Sequence, residues 1–208
     1  MKKFELTDEF ITNAFGNKLF RIKAIVDFGT IRAGELGGFV EKEENLSNDD
    51  NAWVSGNARV SDDARISDDA RISGNAQVSG NAWVYDNAQV SGNAQVSGNA
   101  WVYDNAQVYD NAQVSGNASV SGNAQVYDNA DYAVVEGFGR YFRATTFFRC
   151  KDKILRVQCG CFYGDLAEFR EIVKKTHGDS KYAKEYLAIA DLMELHFSDD
   201  EGRQEAAE

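Results

Sequence analysis

The sequence predicts a mainly β fold in which short strands and tight corners coil upon one another into a stalk. Three observations carry that prediction. An aliphatic residue recurs at every sixth position from Val54 to Val126, and an alanine stands two places before each of them. Within each unit, as in Asn75-Ala76-Gln77-Val78-Ser79-Gly80, apolar and polar residues alternate with the period of two that marks a strand with one buried face. The 208-residue chain contains no proline, where usage of about 5% would give roughly ten. Each strand of a parallel coil gives its N–H groups to a neighbouring coil, and proline has none to give.

Between the strand pairs stand Gly-Asn, Asp-Asn or Asp-Asp, residues that tolerate left-handed backbone angles and form Asx turns, so each unit reads as one strand and one corner. A helix is a poor alternative. A six-residue period drifts around a 3.6-residue turn, and repeated Gly and Asn cost helix stability. One such unit cannot bury its small apolar pair alone, so successive units must stack.

Val78-Ser79-Gly80-Asn81-Ala82-Trp83 resembles the motif of the hexapeptide-repeat superfamily, with Ser or Tyr replacing the usual small Gly or Ala at the second place. The likeness runs unbroken through residues 51–131 and implies a left-handed parallel β-helix, with three units per triangular coil and about four coils. Gly34-Glu35-Leu36-Gly37-Gly38-Phe39-Val40, leading through Asn45-Leu46-Ser47 to Asn51-Ala52-Trp53-Val54, further resembles uncharacterised members of bacteriophages and prophages. By that resemblance the chain is phage-encoded and forms a homo-oligomer, a trimer being the common state of the fold. Eighteen-residue stacking brings Trp83 onto Trp101 and Tyr85 onto Tyr103, an outward four-ring patch read as the oligomer or partner face.

The stalk is flanked by two less regular regions. Residues 1–50 read as an N-terminal cap, with a strand over Leu19–Val26 and tight turns in Gly34–Val40. Val40 and Leu46 fall on a six-residue register that continues to Ala52, so the coil is expected to begin there. Residues 132–198 read as a C-terminal α+β head of ββαα order: strands over Tyr141–Cys150 and Ile154–Phe162, then two helices. The first helix is opened by an Asp165/Glu168 capping pair, with Leu166, Phe169, Ile172 and Val173 on one side. The second spans Ser180–His196 and buries Tyr182, Tyr186, Leu187, Ala190 and Met193. Residues 199–208 are expected to fray.

Composition narrows the function. A net charge of −11 argues against general nucleic-acid binding, which needs a basic face. No window approaches the ~18 apolar residues of a membrane span, acids interrupt the start of the chain, and three cysteines fit reduced thiols, so a cytoplasmic protein without membrane contact is expected. Residues 51–131 contain no His, Cys, Lys, Glu or Thr. The acyltransferases and carbonic anhydrases of the resembled superfamily work through histidines on the coil, and its ice-binding members through threonine ladders. The two histidines here, His177 and His196, lie outside the repeat, so no catalytic residue and no cofactor is expected.

Arg140 to Gln158 holds six cations against one acid. Arg140, Arg143, Arg149 and Arg156, interleaved with aromatics that include Phe147 and Tyr163, form the candidate ligand site, because guanidinium forks take phosphate and aromatic faces stack on bases. The competing reading puts the aromatics in a core and pairs the arginines with acids. Cys159 and Cys161 are read as sharing one strand face, which suits buried thiols better than a metal site, and no metal is expected. The function read from these features is a non-catalytic binding protein that captures a small nucleotide-like host ligand, as in counter-defence by sequestration, or a host protein. A structural part of a virion or envelope and an atypical acyltransferase are the alternatives. Asp62, Asp63, Asp68 and Asp69 raise acidic mimicry of nucleic acid, against the plainer reading of solvated corners.

Overall fold

The computed structural model describes residues 2–198; the tail expected over 199–208 lies outside them. The chain opens with β1 (Phe4–Thr12), β2 (Lys18–Ala24) and β3 (Leu36–Val40), antiparallel in that order. β1 is not visible in the sequence pattern. Leu6 faces Ile22 and Phe10 faces Phe20, so two extra residues bulge from β1 and break its alternation.

β3 is the first strand of the stalk, since Phe39 and Val40 pair in parallel with Arg59 and Val60. Gly37 and Gly38 therefore serve a strand and not the expected turns. A Cβ on Gly37 would lie 2.6 Å from the Val54 carbonyl oxygen, and one on Gly38 would lie 2.6 Å from that of Ala58. Only glycine lets the cap strand approach the coil so closely.

Thirteen two-residue strands follow, β4 to β16, at Trp53–Val54, Arg59–Val60, Arg65–Ile66, Arg71–Ile72, Gln77–Val78, Trp83–Val84, Gln89–Val90, Gln95–Val96, Trp101–Val102, Gln107–Val108, Gln113–Val114, Ser119–Val120 and Gln125–Val126. They form three parallel sheets, ordered β3-β5-β8-β11-β14, β4-β7-β10-β13-β16 and β6-β9-β12-β15, the three sides of a solenoid of about five turns. The extra turn beyond the expected four comes from Val40 and Leu46, which stack on Val60 and Ile66. That step spans 20 residues, whereas Val54 to Ile72 spans 18. Two additional residues between Leu46 and Val54 reset the phase, so Val54, not Ala52, continues the aliphatic column.

Every repeat alanine from Ala52 to Ala124 and every aliphatic residue from Val54 to Val126 is at most 1% exposed. The backbone ladder is equally regular. Asn75, Gln77 and Ser79 donate to the carbonyls of Gly92, Ala94 and Val96 in the next coil at 2.8, 2.9 and 3.0 Å. The corner residue at every sixth position from Asp50 to Gly122 has φ between +49° and +69°. Aspartate takes some of these corners because its carboxylate accepts the corner N–H one coil on: Asp62 from Gly80 at 2.9 Å and Asp104 from Gly122 at 3.0 Å.

The head has four antiparallel strands, β17 (Tyr132–Val135), β18 (Thr145–Arg149), β19 (Leu155–Cys159) and β20 (Phe162–Asp165). The two expected strands are the central pair. Helices α1 (Leu166–His177) and α2 (Lys181–His196) follow. The Asp165 carboxylate accepts from Glu168 N–H at 2.8 Å, and the Glu168 carboxylate accepts from Asp165 N–H at 2.9 Å, which completes the capping box. Tyr182 and Ile172 are each 37% exposed, so neither takes the buried place expected of it.

One face of the head sheet lies on the last coil, where Phe148 and Cys150 join the solenoid core. The other packs on the helices, where Phe147 and Val157 meet Phe169, Tyr186 and Met193. No helix among the described residues is long and apolar enough to cross a membrane.

Candidate functional site

Between β17 and β18 the chain leaves the sheet in a loop, residues 136–144, that carries two of the expected arginines. Arg140 and Arg143 are both exposed, and their guanidinium carbons lie 5.5 and 5.1 Å from the centroid of the Tyr141 ring. Two cations thus share one ring. Phe138, Tyr141 and Phe142 are 44%, 62% and 70% exposed. Phe142 has φ +52°, a left-handed conformation that is costly for a bulky side chain, and so it is held in solvent against both backbone and hydrophobic preference.

The base of the loop is tied to the head. Gly139 donates its N–H to the Glu185 carboxylate at 2.9 Å, a bond that, with Lys181 at 3.3 Å, holds that carboxyl below the usual range. A side chain at Gly139 would collide with the Tyr186 hydroxyl. Gly137 and Gly139, both at positive φ, flank the exposed Phe138 where this loop begins.

The other expected site residues are placed elsewhere, because alternate residues of β18 and β19 point to opposite faces. Phe147 is 0% exposed and packs edge-on against Phe169 at 6.1 Å; it is a core residue, closed to any ligand. Arg149 lies 3.6 Å from the Asp131 carboxylate, donates to the Phe197 carbonyl at 2.9 Å and stacks on the Phe197 ring. It also lines a 410 Å³ groove with Lys153, Asp165 and Glu194, a mixed and not a cationic wall.

Arg156 pairs with Asp152 at 2.8 Å, and its Nη1 is buried without a partner among the described residues. Tyr163 packs on Phe148 at 6.4 Å; burial, then Cys150, pushes its phenol up to about 12. The six-residue constellation therefore divides into Arg140 and Arg143 on the loop and four residues that build or brace the head.

On the third solenoid face, Trp83 stacks on Trp101 at 5.7 Å and 11°, and Tyr85 on Tyr103 at 5.0 Å and 1°. The rings face one another along the stalk axis and turn their edges to solvent. Burial, followed by Tyr103 and the corner aspartates, raises the Tyr85 phenol to about 12. Arg65 extends the stack, its guanidinium 5.4 Å from the Trp83 ring.

Cys159 and Cys161 do not share a strand face. Cys159 pairs with Phe162 at the end of a hairpin whose turn is Gly160-Cys161. The Cys159 sulfur accepts from the Thr145 hydroxyl at 3.2 Å, while Cys161 is exposed and Cys150 is buried, its thiol pushed up by that burial. His177 ends α1 with its ring 5.8 Å from Tyr186. Among the four acids considered for mimicry, Asp62 holds the Gly80 N–H, Asp63 pairs with Lys42 at 2.7 Å, and Asp69 accepts from Asn51 at 2.7 Å.

Residues 64–80, 76–92, 88–104, 94–110, 106–122 and 112–128 match the profile of the YdcK beta solenoid repeat. The chain is accordingly a β-helix repeat protein in its stalk. No curated protein matches it.

Proposed function

We propose that the protein is a non-catalytic, homo-oligomeric binding protein whose head captures a small nucleotide-like anion. The carrying observation is the Arg140–Tyr141–Arg143 cluster, two exposed guanidinium groups within 5.5 Å of the centroid of one exposed ring, set in a loop with a strained Phe142. Guanidinium forks recognise phosphate and the ring offers a stacking surface. The absence of His, Cys and Lys from residues 51–131 supports a stalk that spaces and presents the head instead of performing chemistry.

In this reading the Trp83, Tyr85, Trp101 and Tyr103 face joins copies of the chain, as a trimer, and capture of a nucleotide immune signal would serve a phage in its host. A calorimetric titration with cyclic and ADP-ribose-type nucleotides tests it. Binding to at least one of them, lost in Arg140→Ala and Arg143→Ala but kept in Lys153→Ala, is expected. No heat with any of the panel, or no effect of either arginine, removes the reading. Light scattering that gives a monomer would remove its oligomeric part.

A further inference from the structure

We propose that a slot on the stalk, at the N-terminal end of the Arg65–Trp83–Trp101 stack, binds a guanine-type base. The site is distinct from the head loop. On the third face the outward column runs Arg65, Trp83, Trp101, Ser119 in successive coils. The preceding place in the column falls to Asn45, because its neighbour Leu46 bridges Ile66.

Asn45 turns inward instead. It is 0% exposed and donates to the Asp62 and Ala64 carbonyls at 3.0 and 2.8 Å. The column is thus one member short. In its place lies a 240 Å³ groove lined by Glu44, Ser47, Arg65, Ser67 and Trp83, adjoining a 490 Å³ groove that shares Glu44, Ser47 and Arg65.

The charges around this slot select its ligand. Glu43 is paired with Lys2 at 2.6 Å and Asp63 with Lys42 at 2.7 Å. Glu44 and Arg65 make no side-chain hydrogen bond or ion pair among the described residues. The Arg65 guanidinium carbon lies 5.4 Å from the centroid of the Trp83 ring at the end of the stack, and guanidinium planes are surfaces on which nucleobases stack. A carboxylate accepts at two oxygens and matches two adjacent N–H donors on a base edge. Guanine carries such a pair, N1–H beside the N2 amine, whereas adenine sets one donor beside an acceptor. Arg65 supplies the stacking plane and Glu44 the edge reader, with Ser47 and Ser67 on the walls.

Titration of the full chain with guanosine, followed by calorimetry and by quenching of tryptophan fluorescence, tests the assignment. Guanosine is expected to bind, with adenosine and inosine, which lacks the N2 amine, weaker by about tenfold or more, since a site built around an N–H rejects its absence. Glu44→Gln and Arg65→Lys should each weaken guanosine by about tenfold, the latter because an ammonium keeps the charge but has no plane. Gln95→Ala, exposed on another face of the stalk and outside both candidate sites, should have no effect. Both altered residues are exposed, and an unchanged melting temperature will show that the fold is intact. Absence of guanosine binding, equal binding of adenosine, or full affinity in Arg65→Lys overturns the proposal.

Discussion

The two ends of the solenoid face the same problem with opposite polarity. Each coil donates N–H groups to carbonyls of the coil that follows it, so the first coil is left with free acceptors and the last with free donors. The chain meets each edge with the complementary chemistry. At the N-terminal end the Lys3 ammonium, only 3% exposed, donates to the carbonyls of Asp49, Asp50 and Ala52 at 3.2, 3.3 and 3.0 Å. The Arg21 guanidinium donates to that of Gly37 at 2.9 Å.

At the C-terminal end the partners are acceptors. The Thr146 hydroxyl receives Ser119 N–H at 2.9 Å, the Asn129 amide oxygen receives Gln113 N–H at 2.8 Å, and the Asp131 carboxylate receives Tyr127 N–H at 3.0 Å. A parallel stack has a direction that an antiparallel sheet lacks, and its caps must respect it.

The largest effect should come from reversing the polarity of one cap. Lys3→Glu places a carboxylate against three carbonyl oxygens and should cost about 3–5 kcal/mol, the scale of an uncompensated buried charge. Lys3→Met keeps the length of the side chain but leaves the carbonyls unpaired, and should cost about 2 kcal/mol. Urea unfolding of both variants measures the order. Equal losses would mean that Lys3 contributes by packing alone.

A smaller effect concerns pH. Burial lowers Lys3 from 10.5 to about 8, against the pull of Asp50, Asp49 and Asp69. Between pH 8 and 10 the unfolded chain therefore holds a proton that the folded chain has released, so stability from this group is lost as pH falls through 8 and gained as pH rises. A gain of about 1–2 kcal/mol in wild type relative to Lys3→Met is expected over that window. Above pH 10 the stability of wild type and Lys3→Met alike should fall, because Tyr85, Tyr163 and Tyr186 are pushed up to about 12 and oppose ionisation that the unfolded chain undergoes freely. A flat difference between wild type and Lys3→Met from pH 8 to 10 would contradict the buried ammonium.

Coil and caps differ in how openly the sequence shows them. The coil is legible because each of its units repeats one local rule, and the columns Trp83–Trp101 and Tyr85–Tyr103 follow from the spacing alone. The caps obey no period. Lys3 and Asn45 act over sequence separations of 46 to 49 and of 17 and 19 residues, and nothing local distinguishes a lysine that will be buried from one that will not.

The head divides for a related reason. Arg140 and Arg143 are legible as a pair beside glycines, but Phe147 and Arg149 required knowledge of which strand face meets the helices. The slot beside Arg65 was hidden because it is made by a side chain that turns away.

The gentlest test lies at the other edge. Thr146→Val preserves shape on β18 and removes only the acceptor of Ser119 N–H. The loss should be about 1 kcal/mol, that of one neutral hydrogen bond, and smaller than that of Lys3→Met because one donor is orphaned where three acceptors were. It should also be independent of pH between 8 and 10, since no titrating group is involved. Urea unfolding at both pH values measures this, and a loss as large as that of Lys3→Met would place the greater demand at the donor edge.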